Sequence, residues 1–428
     1  MARYDYDYMT RFHCIGPDCE DTCCTGWRVH LPKEDLDKLM PLIEKEGHRE
    51  LADAIEILPE EERHDGNHGH LVHGKDGKCQ MLDQGWCRLH RDLGEAMLPL
   101  VCATFPRLII DTGKNRETSG RLSCPEVARL CLLADHAPTL VPDELPLPPL
   151  YETHSWAVQE QEPFRKNLEP TARIIRTLLD LSSFPLDERL YFVLYFCKRI
   201  SPFMYMDCKK DPASRIERLG KRMADLGFLK NIAVGFNNDA HHSAQLIDFL
   251  FGILNANFVS AHYVRYNNLR LTLLRGLGKG EADPLACSGR ITNETSLDDL
   301  FHRYQERKQV VLDRFGERIN RYFTNFAVNY WLQHLYMGDP EIETPLRKFF
   351  VYLALSRILF FAHPEVVACT RIEEDEAAIA RLDELIVEII QVFMKTIDAN
   401  VEVLHSILAA VKELKLEGMA ELAAFIKI

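Results

Sequence analysis

Residues 12–27 read FHCIGPDCEDTCCTGW, with thiols at Cys14, Cys19, Cys23 and Cys24. The spacing is C-x4-C-x3-C-C. It is interrupted by Gly16, Pro17 and Gly26, residues that favour turns over helix or strand. Four thiols in so short a loop can wrap a metal centre, and soft thiolates select zinc, Cu(I) or iron–sulfur clusters over hard cations. Adjacent cysteines point in different directions, so Cys23 and Cys24 fit awkwardly on one tetrahedral zinc. A larger cluster, or one ligand plus a supporting thiol, fits better.

Further cysteines follow outward from this loop. Cys79 and Cys87 stand in C-x7-C spacing, Cys102 opens Cys102-Ala103-Thr104-Phe105-Pro106-Arg107, and Cys124 precedes Pro125. A cysteine directly before proline is familiar from iron–sulfur ligation. Of the 13 cysteines, nine (these eight and Cys131) fall within residues 14–131. In a reducing compartment such clustering points to metal or redox chemistry rather than disulfides. Cys197, Cys208, Cys287 and Cys369 are scattered and read as buried thiols. His64, His68, His70 and His73 precede Cys79 in a polar Gly-rich stretch with no fixed ligand spacing, which reads as a surface loop.

Across its 428 residues the chain carries 51 Lys+Arg against 64 Asp+Glu, a formal charge of −13, with 46% hydrophobic residues. That composition is globular rather than disordered. The acidic balance argues against a general nucleic-acid binder. The start, Met1-Ala2-Arg3-Tyr4-Asp5-Tyr6, lacks an export signal, and the longest apolar run, Phe349–Ala362, is too short to span a bilayer and contains Arg357. A cytoplasmic protein without membrane or nucleic-acid partners is expected.

The expected organisation is mainly α: a cysteine-rich, loop-rich metal-binding domain over 1–137, a Pro-rich connector over 138–150, and an all-α domain over 151–428. The connector holds Pro138, Pro142, Pro146, Pro148 and Pro149 and reads as stiff and extended, neither helix nor strand. Apolar residues at helical spacing mark Thr171–Leu181, Leu186–Ile200, Asp239–Phe258, Tyr263–Leu277, Leu297–Met337, Pro345–Ala362 and Glu374–Ile428. Leu186–Ile200 is too densely apolar for a surface helix. The glycines of Gly276-Leu277-Gly278-Lys279-Gly280 follow a helical pattern without a preceding strand, so they read as a helix stop rather than a nucleotide loop. No Walker A, G-x-S-x-G or H-E-x-x-H motif occurs.

Taken together, the blocks Phe12–Trp27, Cys79–His90 with Leu93-Gly94-Glu95, Thr104–Arg107 after Cys102, Leu122–Leu130, and Asn325–Tyr330 resemble the flagellin lysine-N-methylase (FliB) family. The N-terminal blocks are also similar to CxxxCC-type zinc- or iron-chelating proteins. Val101-Cys102 stands where the pattern has Thr-Cys, a mild departure. The resemblance implies an S-adenosylmethionine-dependent protein-lysine N-methyltransferase acting on flagellin, with a 4Fe–4S cluster at or near the active site and zinc as the alternative metal.

The metal-ligand candidates are Cys19, Cys23, Cys24 and Cys102, followed by Cys14, Cys79, Cys87 and Cys124. Three of them could hold a cluster whose fourth iron is open to S-adenosylmethionine; alternatively a fourth thiolate closes it and the cluster is structural. Arg107, with its planar two-pronged donor, is the candidate partner for the cofactor carboxylate. Trp27 is the candidate for stacking on adenine or the sulfonium. The helical domain is assigned protein-substrate recognition by elimination. The competing reading is a non-enzymatic iron–sulfur or zinc-binding module with a helical docking domain.

Overall fold

The computed structural model describes residues 2–43, 49–64, 66–112, 115–143, 156–157, 162–204, 212–238, 244–255, 264–277, 296–335, 341–398 and 401–428. Cys208, Cys287, residues 144–150 of the connector and Gly278 to Gly280 lie outside them.

The expected mainly α architecture is present, with a loop- and strand-rich N-terminal region. Within that region the sheet is the element the sequence pattern did not reveal. Strands β1 (Ala2–Tyr6), β2 (Arg107–Asp111), β3 (Asn115–Gly120), β4 (Leu140–Pro142) and β5 (Trp156–Ala157) form one sheet in the order β5-β2-β3-β1-β4. The hairpin β2–β3 is antiparallel, from Arg107 opposite Gly120 to Asp111 opposite Arg116, while β1 runs parallel to β3. Strand β4 corrects the reading of the connector as neither helix nor strand. Proline keeps Leu140–Pro142 extended, and the segment pairs at the sheet edge, where a missing N–H is tolerated. A second, small sheet joins His30–Leu31, Gly69–Leu71 and Ile55–Ile57.

Two apolar cores result. The smaller gathers Val29, Leu31, Leu39, Leu51, Leu71, Met81 and Leu89, with Cys79 inside it and Cys24, Cys87 and Cys102 packed at its edge. The larger unites the sheet residues Tyr6, Tyr8, Leu108 and Ile110 with the helices that follow. Leu186–Met204 is buried on nearly every side, as its dense apolar pattern requires.

Four further helices position the site: α1 (Pro125–Leu132), α2 (Leu297–His334), α3 (Glu343–Phe361) and α4 (Asp375–Phe393). A π-helical turn, Met394–Asp398, continues α4. Helix α2 fastens the sheet to the helical body through Asn325, Asn329 and Gln333, spaced four apart on one face. Asn325 Nδ2 donates to the carbonyls of Cys131, Leu132 and Ala134 at 3.1, 3.3 and 3.0 Å, closing the C-terminus of α1. Asn329 and Gln333 both donate to the Gly120 carbonyl at the end of β3, and the buried Tyr8 hydroxyl donates to Asn329 while accepting from Gly120 N.

Candidate functional site

The loop at residues 14–19 is pinned against the hairpin Leu82–Cys87 by two glycines with left-handed backbone, Gly16 (φ +57°) and Gly85 (φ +82°). A Cβ on Gly16 would stand 2.7 Å from the Trp86 ring, and one on Gly85 would stand 2.7 Å from Pro17 Cβ. Only hydrogen at both positions lets the loop approach this closely. Meanwhile Cys79 N donates to Cys24 O at 2.8 Å, and Cys124 caps the start of α1 with Pro125 at the first helical position.

The outcome is one cavity of about 410 Å³ lined by Cys14, Cys19, Cys23, Cys24, Cys79, Cys87, Cys102 and Cys124, the full set of expected ligands. Cys131 is not among them. It is buried in α1 with its thiol directed at Asn325 O, 3.9 Å away, an ordinary structural cysteine. Cys197 and Cys369 are likewise buried elsewhere. The four histidines do not line the cavity. Gly69–Leu71 is a buried strand rather than a surface loop, with His70 paired to Glu56 at 3.0 Å.

Burial raises most of these thiols above their ordinary pKa, and backbone amides oppose it in part. Cys19 receives the backbone N–H of Asp21, Cys79 that of Met81, Cys87 those of His90 and Leu89, and Cys124 those of Val127 and Glu126. Amides two or three residues downstream favour the thiolate that metal ligation needs. Burial works the other way and pushes the free thiols of Cys79 and Cys124 up to about 12. Cys23 and Cys24 form a tight pair. The Cys23 thiol donates to Cys24 and, helped by Thr22 and Lys395, draws it down to about 7, while Cys23 itself is raised.

Among the described residues, no three His, Cys, Asp or Glu side chains converge closely enough to hold one metal ion. Eight thiols nevertheless line a 410 Å³ space, four of them under backbone N–H donors, a donor set of the soft kind that zinc or iron–sulfur clusters take.

The helical body reaches into this loop. Lys395, on the π turn, contacts Asp21 Oδ1 (2.6 Å), Thr22 O (3.0 Å) and Thr25 Oγ1 (3.1 Å). Gln391 Nε2 donates to Asp21 Oδ2 and Ser123 O, and Arg265 pairs with Asp21 Oδ2 at 3.0 Å.

A second chamber, of about 480 Å³, shares Cys23, Trp27, Phe105 and Arg107 with the first. The two residues expected to bind the cofactor, Trp27 and Arg107, thus stand in the partition. Trp27 Nε1 donates to Cys23 O at 2.6 Å and its ring lies 6.2 Å from that of Phe105. Arg107 lies over Phe12 at 5.1 Å. Arg121 adds a second guanidinium.

The chamber also exposes His334, Lys348, Lys395 and Asp398, which are supplied by α2, α3 and the π turn. Lys348 Nζ sits 2.6 Å from Asp398 Oδ1 and 3.1 Å from His334 Nε2. His334 Nδ1 faces the Tyr330 carbonyl at 2.9 Å. A carbonyl only accepts, so Nδ1 carries the hydrogen and Nε2 presents its lone pair. Burial and Lys348 hold this imidazole below its ordinary pKa, against the pull of Asp398. Burial alone would raise the Asp398 carboxyl, yet Lys348 and His334 hold it well below the usual carboxylate range.

A family model for the FliB lysine N-methylase C-terminal domain matches residues 173–425. The chain belongs to the FliB lysine N-methylase family. It is similar to the lysine-N-methylases of Salmonella typhimurium (strain LT2) and Salmonella choleraesuis, 31% identical over 121 residues in each case, which is 28% of this chain and 30% of each relative. The same length and identity link it to the flagellar biosynthetic protein FliU of Salmonella muenchen, of which the match covers 70%. The match therefore takes in less than a third of either lysine-N-methylase. No solved structure matches the chain.

In this FliB-family chain the sequence reading missed the far wall of the second chamber. The local signal was weak: Lys348 stands beside Arg347 at the start of the largely apolar stretch Phe349–Phe361, and Asp398 follows Lys395 and Thr396 at the end of the π turn. Only the fold shows that these charges are largely buried and must pair.

Proposed function

We propose that this chain is an S-adenosylmethionine-dependent protein-lysine N-methyltransferase acting on flagellin, with a cysteine-held 4Fe–4S cluster beside its active site. The observation that carries this reading is the pair of adjoining cavities, one walled by eight thiols and the other by aromatic rings, guanidiniums and a buried carboxylate. Membership of the family and the flagellar name of one relative support the reaction class and the substrate.

Cys14, Cys19, Cys23, Cys24, Cys79, Cys87, Cys102 and Cys124 are the residues from which the cluster takes its ligands. When bound, the cluster supplies a Lewis-acidic and redox-capable centre next to the partition. Arg107 and Arg121 offer paired donors to the donor's carboxylate. Trp27 and Phe105 offer ring faces to adenine or to the sulfonium. The chain's task is then to align amine nitrogen, methyl carbon and sulfur, exclude water, and take one proton. The aromatic partition and buried helical wall suit all three.

The test is anaerobic purification with iron and sulfide analysis, followed by incubation with flagellin and methyl-labelled S-adenosylmethionine. A brown protein with about four irons and four sulfides per chain that labels flagellin lysines is expected. A colourless zinc protein refutes the cluster, and absence of label with S-adenosylmethionine bound refutes the methyltransferase.

A further inference from the structure

The ammonium of Lys348 occupies a site built to recognise ammonium. Asp398 Oδ1 lies 2.6 Å away, His334 Nε2 3.1 Å away, and the Tyr352 ring centroid 5.2 Å away. The three side chains that carry charge or protons are nearly buried, with His334 9%, Lys348 12% and Asp398 14% exposed. Each is held by neighbours on its own and facing elements. His334 stacks on Tyr330 at 3.9 Å, Tyr352 Oη donates to Asp398 at 3.3 Å, and Asp398 stands 3.7 Å from His334 Nε2. All three line the chamber assigned above to the methyl donor. Lys348 carries its ammonium on a flexible four-carbon stem, whereas Asp398 and His334 are short and held by their neighbours.

We propose that Asp398 and His334 form the acceptor subsite for the target lysine, and that Lys348 is a resident cation keeping that subsite filled until a substrate ammonium displaces it. This rests on the lysine-methylation reading. Asp398 anchors the incoming ε-ammonium. His334 Nε2 takes one of its protons, leaving a neutral amine. The nitrogen lone pair then forms the N–C bond to the sulfonium methyl while the C–S bond breaks, its electron pair staying on sulfur as a neutral thioether. The product leaves as a methylammonium, and the proton on His334 passes to solvent, so that one methyl is transferred and one proton released.

A bare structural ion pair would lose stability when either partner is removed and leave substrate affinity alone. The subsite predicts opposite effects instead. With metal-loaded protein, methyl transfer to purified flagellin is measured against flagellin concentration and pH, alongside S-adenosylmethionine binding by equilibrium dialysis. Asp398→Asn should raise KM for flagellin about tenfold to a hundredfold, the value of a charge-assisted hydrogen bond. Lys348→Met should lower that KM, because no resident cation has to be displaced. His334→Gln should lower kcat and remove the acidic limb of its pH profile. S-adenosylmethionine binding should persist in all three.

Unchanged KM in Lys348→Met, or a KM that rises there as in Asp398→Asn, overturns the subsite while wild-type activity preserves the broader reading. A wild type that binds S-adenosylmethionine and methylates no lysine refutes both. If Asp398→Asn fails to fold, Lys348→Met and His334→Gln decide the matter by themselves.

Discussion

Replacing Lys395 by Met removes the cation that ties the π turn to the cysteine loop, while keeping the length and apolar character of the stem. Its ammonium bonds to Asp21 Oδ1, Thr22 O and Thr25 Oγ1 disappear, from a place where Lys395 and Asp21 are only 17% and 12% exposed. Removing one partner of a fully buried ion pair costs about 3–5 kcal/mol, because the other charge is left unpaired. Here Asp21 keeps Gln391 and Arg265, so the unpaired-charge penalty falls away and the cost is that of the lost ammonium bonds, about 2–3 kcal/mol in a partly exposed site. The loss is local. It should appear as easier opening of the loop, read by hydrogen exchange at the Cys79 amide that donates to Cys24 O. At about 1.4 kcal/mol per tenfold, protection there should fall roughly 30- to 150-fold, with little change in α3. In metal-free protein the Cys24 thiol should also titrate above its present value of about 7, since Lys395 is one of the groups lowering it. Unchanged protection at Cys79 would refute the reasoning, showing that Gln391 and Arg265 hold the loop without the cation.

Burial and Lys348 depress the His334 pKa, so between that depressed value and about 6.5 the unfolded chain binds a proton that the folded chain does not. Stability contributed by the neutral imidazole therefore rises with pH through this window and is lost as pH falls through it. Urea melts of wild type and His334→Gln should differ by an amount that grows up to about pH 7 and then levels; a flat difference rejects a buried neutral ring. Asn325→Ala leaves buried carbonyls at the end of α1 without donors and should cost about 2–4 kcal/mol, two hydrogen bonds' worth, in chemical denaturation. Loss under about 1 kcal/mol would mean water satisfies them. Cys124→Ala and Cys131→Ala separate ligand from core: after anaerobic reconstitution the first should hold less metal per chain and the second as much as wild type. Equal loss in both would dissolve the distinction the cavity draws.

Period and composition disclose what neighbouring residues decide among themselves. Leu186–Ile200 is helical and densely apolar as its pattern indicates, and the observed helix runs four residues further, to Met204. The cysteine loop could be read as one unit because soft ligands, glycines and proline recur within a few residues, and all eight candidates do line one cavity. Pairings set by distant partners were out of reach. The run Leu108-Ile109-Ile110 hints at a strand, but nothing local says that β1, more than 100 residues earlier, runs parallel beside β3. His334, Lys348 and Asp398 come from three separate elements, so no spacing rule joins them. Asn325 and Asn329 belong to the block Asn325–Tyr330, while Gln333 lies beyond it. Polar residues spaced four apart on the apolar C-terminal part of this helix are the physical clue to a docking seam.

The contact between Asp21 and Lys395 joins residues 374 positions apart. During synthesis at about 5–20 residues per second, the cysteine loop leaves the ribosome roughly 20–75 s before the turn that secures it exists. For that interval the loop lacks the helical wall it later packs against, and its thiols are open to chaperones, oxidants or stray zinc. Under the proposed cluster-bound reading, loading must either occur in that early window and be tolerated by the closing fold, or wait until the last helices have been made. Closure of the thiol-lined cavity is thus timed by the opposite end of the chain.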